Sequence, residues 1–250
     1  MLLDFFETIG IKTLSLFTFV FVFFQFLGEN ILLLLFKKSY NPSFLKLFVL
    51  NIYNTTIKQI PFFFFIGLFF GIALIGTITI VANKFGLELQ MGEIIISAVL
   101  KEGAPLLATL FLTLRLSVVI LQELATFNTL DERRTFVLAN LLSSMVATLF
   151  FALFLSAVMI MSGYIFTLFY LGMNFHTYSS LLFSALDLSA VYVVIAKGLV
   201  FGLVMIALPL MNGFELKSKD ISATLILKTT LRLLLVLFFL EVVFFVLRVI

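Results

Sequence analysis

Long apolar runs separated by short polar segments make up most of this sequence. A helix needs about 20 consecutive apolar residues to cross the ~30 Å hydrocarbon layer of a membrane, and in lipid its backbone polar groups must be bonded internally. The pattern therefore predicts an all-α, polytopic membrane helix bundle with about five transmembrane helices. The predicted spans are residues 60–82, 91–125, 139–171, 181–211 and 231–250.

The segment 14–36, which precedes the first span, carries a narrow polar stripe. Thr18, Gln25 and Glu29 recur at helical spacing in an otherwise apolar sequence, which is typical of a helix that lies in the membrane interface. We therefore expect a membrane-embedded interfacial helix in preference to a sixth span. One domain is predicted over the whole chain, with an interfacial N-terminal region at 1–58 and a transmembrane bundle at 60–250.

The run 91–125 is too long for one ordinary span and too short for two spans with a turn. Its 35 residues would form a helix of about 52 Å. Pro105 removes the hydrogen bond to the carbonyl of Lys101 and biases Ala104 away from helical backbone angles. We expect a short entering segment, a break at 103–105, and a span that ends near Glu123.

Charged residues lie inside the apolar runs, where a charge at mid-bilayer depth costs roughly 2.5–3.5 kcal/mol. On an ideal helix Lys101, Arg115, Gln122 and Glu123 fall within an arc of about 100°. Two interpretations stay open, a polar pathway and a buried ion pair that fixes helix register. The candidates for a lipid path or gate are Lys101, Glu102, Pro105, Arg115, Glu123, Lys197 and Glu241.

The partners of these charges are not determined by the sequence. Lys197 and Glu241 pair with each other or with the face that carries Arg115. The candidate partners of Arg115 are Glu102, Glu123 and Glu241.

Glycine pairs at a spacing of four residues mark positions of close helix packing. Gly67 and Gly71 form one such pair, and Gly198 and Gly202 form another. Small residues at this spacing let helix backbones approach closely in lipid. Packing within the chain is the simpler interpretation, and the seam of a homodimer is the alternative.

The distribution of lysine and arginine predicts the orientation of the spans. Basic residues precede the first span, follow the second and precede the last, whereas the intervening loops carry only Lys84 and His176. By the positive-inside rule, the N-terminus is cytoplasmic and the C-terminus external.

Composition excludes several classes of function. Hydrophobic residues make up 63% of the chain and charged residues 12%, a balance that a soluble domain of this size does not show. Without cysteine there is no disulfide or cysteine metal site, and the basic residues form no patch suited to nucleic acid. The sequence contains no HExxH, GxSxG or phosphate-binding loop motif. We therefore expect no enzyme, metal site or bound cofactor, and if ATP drives this protein, a partner chain binds it.

Several segments, in matching order along nearly the whole chain, are similar to the motifs of one known family. Residues 100–106 (LKEGAPL) resemble the stretch L-R-E-L-G-P-V, and Arg115 and Glu123 fall where that family has its G-R-x-G and A-E-I-G segments. Residues 196–202 (AKGLVFG) resemble its K-S-x-x-F-G segment, and Glu241 resembles its late acidic position. The chain thus resembles the MlaE-type permeases, the membrane subunits of ABC transporters that move phospholipids with MCE-domain proteins.

The resemblance implies a permease subunit that carries phospholipid between the inner and outer membranes. It further implies a multi-pass protein of the bacterial inner membrane that forms a homodimer. Its partners would be an MCE-domain substrate-binding protein and a separate ABC ATPase subunit that binds the ATP.

One departure from the family concerns coupling to the ATPase. The family follows its A-E-I-G segment with a cytoplasmic helix that docks into the ATPase, whereas residues 124–134 here lead almost directly into the third span. A short helix capped by Asn128 or Thr129 is expected to replace it. The candidate coupling residues are Asp131, Glu132, Arg133 and Arg134. Two alternatives stay open: a coupling-deficient scaffold or silent half of a heterodimer, and an ion-coupled secondary transporter.

Overall fold

Helices account for nearly all of the chain in the computed structural model, which describes residues 2–36, 40–124, 126–127, 129–215 and 223–249. The described residues form nine α-helices, with 3₁₀ turns at Ile57–Gln59 and Glu88–Gln90 and a π-helical segment at Ile96–Gly103. The α-helices are α1 (Leu2–Leu35), α2 (Pro42–Thr55), α3 (Ile60–Phe85), α4 (Met91–Ile95), α5 (Ala104–Leu124), α6 (Leu130–Leu171), α7 (Phe175–Ala185), α8 (Leu188–Glu215) and α9 (Ala223–Val249).

The predicted membrane helix bundle is confirmed. Six helical stretches of the described chain are long and apolar enough to cross a membrane: Thr18–Leu35, Pro42–Phe85, Glu88–Leu124, Leu130–Leu171, Leu188–Gly213 and Ile226–Leu247. The segment 14–36 lies within α1, and its placement in the interface rather than across the membrane stays a prediction. Large apolar side chains such as Phe69 and Phe239 are exposed, as is expected of helix faces in contact with lipid.

Two of the predicted spans differ from the helices observed. The helix that contains the third predicted span begins at Leu130, before residue 139, because the polar segment 130–138 continues into α6 instead of forming a separate short helix. The fourth predicted span, 181–211, is divided into α7 and α8. The division falls at Asp187, whose carboxylate accepts hydrogen bonds from the Ser189 hydroxyl and the Ala190 N–H, at 2.7 and 2.8 Å. This bonding begins a new helix.

The break expected at 103–105 is replaced by the π-helical segment, and the chain stays helical throughout. Pro105 lies in the first turn of α5, where its missing N–H costs least. The Ala104 N–H donates to the carbonyl of Val99, five residues back. The wider π turn therefore accommodates the proline without an opening of the helix.

α6 lies at the centre of the bundle, with α2, α3, α5 and α8 packed around it. The rings of Phe63 and Phe151 stack with centroids 3.8 Å apart, so α3 packs closely on α6. A Cβ added at Gly67 would lie 2.7 Å from Cγ1 of Val158, and one added at Gly71 would lie 2.5 Å from Met159 Cα. The residue numbers of the contacting pairs increase together along the two helices, so α3 and α6 run parallel.

α8 packs on α6 in the opposite direction. A Cβ at Gly198 would lie 3.0 Å from Leu149 Cα, and one at Gly202 would lie 2.8 Å from Met145 Cα. The two glycine pairs therefore pack against α6 of the same chain. A homodimer would have to use other residues for its seam.

The helix directions define two ends of the bundle. At one end, α3, α6 and α9 begin and α5 and α8 finish. We call it the basic end, because it holds Lys58, Arg133, Arg134 and Lys228. Asn212 near the end of α8 donates to the Thr229 hydroxyl of α9 at 2.8 Å. The opposite end, which we call the α7 end, holds Asn83, α7 and its exposed His176 in the first helical turn rather than in a loop.

Single cysteines are expected to react from opposite sides of the membrane according to these two ends. Because the natural chain contains no cysteine, Asn83→Cys and His176→Cys should react with an impermeant maleimide added outside intact cells. Arg134→Cys should react only after permeabilisation, since the positive-inside rule places the basic end in the cytoplasm. Reaction of the variants at 134 and 176 from the same side would contradict a membrane crossing by α6.

Candidate functional site

A cluster of three charges joins three helical elements inside the bundle. The Lys197 ammonium on α8 donates to Glu241 Oε1 on α9 at 2.8 Å and also to Glu102 Oε2 in the π-helical segment. The Lys197 side chain is 1% exposed, and its Nζ lies 5.8 Å from the centroid of the Phe244 ring. Of the two pairings left open by the sequence, the pairing of Lys197 with Glu241 is therefore the one observed.

The cluster contains one cation and two carboxylates, so its ionised form carries a net negative charge. The second carboxylate oxygen of Glu241 is buried without a hydrogen-bond partner in the described chain. A buried ion pair is costly to form, but the loss of one partner is costlier because it leaves an uncompensated charge. The cluster therefore fixes how the π-helical segment, α8 and α9 sit together.

Lys101 belongs to a different site from Glu102. Its ammonium lies 3.8 Å from Asp187 Oδ1 at the start of α8. Hydrogen bonds from Ser189 and Ala190, with the charge of Lys101 nearby, lower the pKa of the Asp187 carboxyl. Since the Asp187 side chain is 59% exposed, this pair contributes little stability, but it holds the π-helical segment to the α7–α8 turn.

An apolar cavity of about 400 Å³ lies between the π-helical segment, α6 and α7. The hydroxyl of Tyr178, on α7, donates to the carbonyl of Ile160 at 3.0 Å. Burial of that hydroxyl raises its pKa. Because this hydroxyl is already hydrogen-bonded, the walls of the cavity present an apolar surface that suits an apolar ligand such as an acyl chain. The side chains of these walls include Ile96, Leu100, Leu153, Tyr164 and Leu182.

A second, polar cavity of about 200 Å³ lies towards the basic end between α2, α5 and α6. Here the Arg115 guanidinium donates to Oε1 of Gln59. The predicted pairings of Arg115 with Glu102 and with Glu241 are therefore wrong. The third predicted partner, Glu123, lines the same cavity. The other polar residues that line it are Asn51, Asn54, Thr55, Lys58 and Asn140.

The charges predicted to share one face of the 91–125 run are divided between two sites. Lys101 contacts Asp187, whereas Arg115 and Glu123 line the polar cavity together. Glu102, which lay outside the predicted arc, contacts Lys197. The prediction of a single arc assumed a regular α-helix, and the π-helical segment changes the angular register between Lys101 and Arg115. The Pro105 carbonyl accepts a hydrogen bond from the Thr109 hydroxyl at 2.7 Å, and the first-turn position of this proline marks where the π-helical segment ends.

Several site residues were missed by the sequence analysis. Asp187 was overlooked because it was assigned to the interior of a span. Asn51, Asn54 and Lys58 recur at intervals of three to four residues, a helical spacing that would have indicated one polar face along the end of α2 and the 3₁₀ turn that follows it.

The candidate coupling residues form the first turn of α6. Thr129 Oγ1 accepts from the Glu132 N–H at 3.3 Å while the Glu132 carboxylate accepts from the Thr129 N–H at 3.4 Å, which is a capping box. Arg133 Nε donates to the carbonyl of Phe127 at 3.0 Å. Asp131 also lies in this first, acidic turn, as the helix dipole favours. Of the two caps expected, Thr129 is the one used, and Asn128 lies outside the described residues.

The start of α6 extends well past the start of α3. Phe63 is the fourth residue of α3 and stacks on Phe151, the twenty-second residue of α6. Because the two helices run parallel, about 18 residues of α6, or about 27 Å of helix, project beyond α3. α2 supports this projection, with Phe44 packed in a cluster with Leu138 and Ala139.

Comparison with known proteins gives one family. The family model described as Permease MlaE matches residues 48–247, which is most of the chain. No curated protein gives a significant match.

Proposed function

Because the chain belongs to the MlaE permease family, we propose that it is the permease subunit of an ABC-type phospholipid transporter of the bacterial inner membrane. In this proposal the chain moves phospholipid between the inner and outer membranes as a homodimer. A separate ABC ATPase binds at the basic end and supplies the energy of ATP, and an MCE-domain protein receives or delivers lipid at the α7 end. The observation that carries the proposal is the family match over residues 48–247.

The apolar cavity and the charge cluster share the π-helical segment and together support a lipid as the cargo. Leu100 of this segment lines the cavity, and Glu102 of the same segment contacts Lys197. An acyl chain fits the apolar walls. A movement of the π-helical segment would therefore alter the cavity and the charge cluster together.

The projecting start of α6 supports coupling to an ATPase despite the short connection. The projection of about 27 Å carries the capped first turn with Arg133 and Arg134 beyond the level at which α3 begins. This geometry lets a single helical turn reach a partner without the longer cytoplasmic helix of the family. It favours a coupled permease over the scaffold interpretation.

Reversal of charge at both Arg133 and Arg134 is expected to weaken the ATPase complex without unfolding the spans. Arg133→Glu with Arg134→Glu replaces two cations on the projecting turn by two carboxylates, and like charges across an interface disfavour binding. We expect at least a tenfold loss of co-purified ATPase activity in mild detergent, on the order of 1.4 kcal/mol or more.

The matched control is Lys228→Glu, an exposed lysine at the same end of the bundle on α9. This variant should retain the ATPase. If no nucleotide-binding subunit accompanies the wild-type chain, or if the double reversal leaves binding and activity unchanged, the scaffold interpretation replaces the coupled permease.

A further inference from the structure

The polar cavity towards the basic end has the features of a ligand site. Its floor is made by the buried side chains of Asn51, Gln59 and Asn140, and its rim carries the exposed charges of Lys58 and Arg115. Apolar packing does not explain why polar side chains are placed here. Buried polar side chains ordinarily have hydrogen-bond partners, so each of these groups needs one.

One buried donor in this cavity has no acceptor. The Asn51 side chain lines the cavity, the residue is 8% exposed, and Nδ2 has no hydrogen-bond partner within the described chain. The neighbouring amides are used, because Asn140 Nδ2 donates to Phe136 O at 2.9 Å and Gln59 Nε2 donates to Asn54 O at 3.2 Å. A buried donor without an acceptor destabilises the folded chain, and an acceptor in the cavity would remove that cost.

The charges around the cavity favour an anion as that acceptor. A guanidinium carries five N–H donors, and the structure shows one hydrogen bond of Arg115, to Gln59 Oε1. Lys58 adds a second cation, with its Nζ 5.4 Å from the centroid of the Tyr53 ring. Among the described residues, Glu123 is the one acidic residue that lines the cavity, so the ionised side chains of Lys58, Arg115 and Glu123 together carry a net positive charge.

The cavity lies at the start of the apolar helix α3. Lys58 and Gln59 directly precede this helix, which begins at Ile60. The guanidinium of Arg115, which is bonded to Gln59, therefore lies at the level where α3 begins. We expect the phosphate groups of membrane lipids at this level, because the first predicted span starts at residue 60.

We propose that this cavity binds a phosphate group, with the Asn51 amide and the Arg115 guanidinium as donors and Lys58 as a neighbouring positive charge. Arginine binds phosphate oxygens through paired, charge-assisted hydrogen bonds. The phosphate belongs either to a phospholipid headgroup or to a free phosphate ion. The proposal does not depend on transport, because binding is measured on the chain without an ATPase.

The absence of cysteine from the chain allows a direct test by thiol protection. Asn54→Cys, which lines the cavity, is labelled with a maleimide in a neutral detergent. The reaction is repeated with phosphatidylglycerol, with a diacylglycerol that has the same acyl chains but no phosphate, and with inorganic phosphate alone. Asn83→Cys, at the α7 end, is the matched control.

Phosphatidylglycerol is expected to slow labelling of the Asn54→Cys variant by about tenfold or more, as hydrogen bonds to charged groups imply. Diacylglycerol should not slow it, and Asn83→Cys should react equally in all mixtures. Protection by phosphatidylglycerol alone identifies a lipid headgroup, and protection by inorganic phosphate identifies the free ion. A second substitution, Arg115→Gln, should abolish the protection.

Equal labelling rates with phosphatidylglycerol, inorganic phosphate and diacylglycerol would overturn the proposal. Full protection that persists in the Arg115→Gln protein would also overturn it. If Arg115→Gln does not fold, the comparison of lipids with and without phosphate on the Asn54→Cys protein decides the question alone. Failure here would leave the ATPase assignment unaffected, because that assignment rests on the family match and is tested separately by co-purification.

Discussion

Lys197→Met is expected to prevent stable folding of this protein in a membrane. The substitution keeps a long, flexible apolar side chain but removes the ammonium that lies between Glu102 and Glu241. Two partly buried carboxylates, on side chains that are 25% and 17% exposed, would then lie close together without a cation. Breaking a buried ion pair by removal of one partner costs about 3–5 kcal/mol. The measurement is the yield of monodisperse protein in detergent and its midpoint of thermal unfolding.

The charge balance of the cluster predicts a particular order among its variants. Glu241→Gln should be tolerated far better than Lys197→Met, because it leaves Lys197 paired with Glu102 and the cluster neutral. The triple variant Lys197→Met, Glu102→Gln, Glu241→Gln should recover the fold, since it removes every charge at once. Lys84→Met, an exposed lysine at the end of α3, should have no effect on stability.

Transport activity separates a structural cluster from a functional one. If the triple variant folds and still assembles with an ATPase but moves no lipid, the charges serve the lipid path as well as the fold. If it transports lipid normally, the cluster only fixes helix register. Stable folding of the single variant Lys197→Met would contradict the structural role, and normal lipid transport by that variant would contradict the functional one.

The long apolar runs predicted the bundle because a backbone in lipid must form its hydrogen bonds internally. Each run of sufficient length must become a helix, so α3, α5, α6, α8 and α9 follow from hydropathy alone. Helix ends were harder to predict. A separate short helix was expected ahead of the third span, yet the helix that the capping box of Thr129 and Glu132 begins continues as α6.

The candidate site was predicted in its residues but not in its grouping. Lys101, Glu102 and Arg115 were singled out by the cost of burying charge, which acts on each residue separately. Their partners depend on helix register and on contacts between distant segments. The π-helical segment changes that register, and the bond between Arg115 and Gln59 joins residues 56 apart in sequence. No local pattern reports such a contact.

Gly71→Leu is expected to disrupt the packing of α3 on α6 and to destabilise the protein severely. A Cβ at this position would lie 2.5 Å from both the Cα and the carbonyl oxygen of Met159 and would also overlap the Ser162 hydroxyl. The Ser162 side chain can rotate away, but the Met159 backbone lies within the central helix and cannot move without displacing it. Overpacking of a core costs about 1–3 kcal/mol when side chains can adjust, so a clash with backbone should cost more than about 3 kcal/mol.

Gly28→Leu is the matched control, because Gly28 is also a helical glycine and a Cβ there would meet nothing within 4 Å. Leucine is a better helix former than glycine by close to 1 kcal/mol, so the control should be neutral or slightly stabilising in thermal unfolding. Gly71→Ala tests the cause, since a single methyl group already reaches Met159. Addition of Ser162→Ala to Gly71→Ala should not restore stability, because the backbone contact persists. A Gly71→Leu protein that unfolds at the temperature of the wild type would show that α3 and α6 do not pack at the distance the glycine permits.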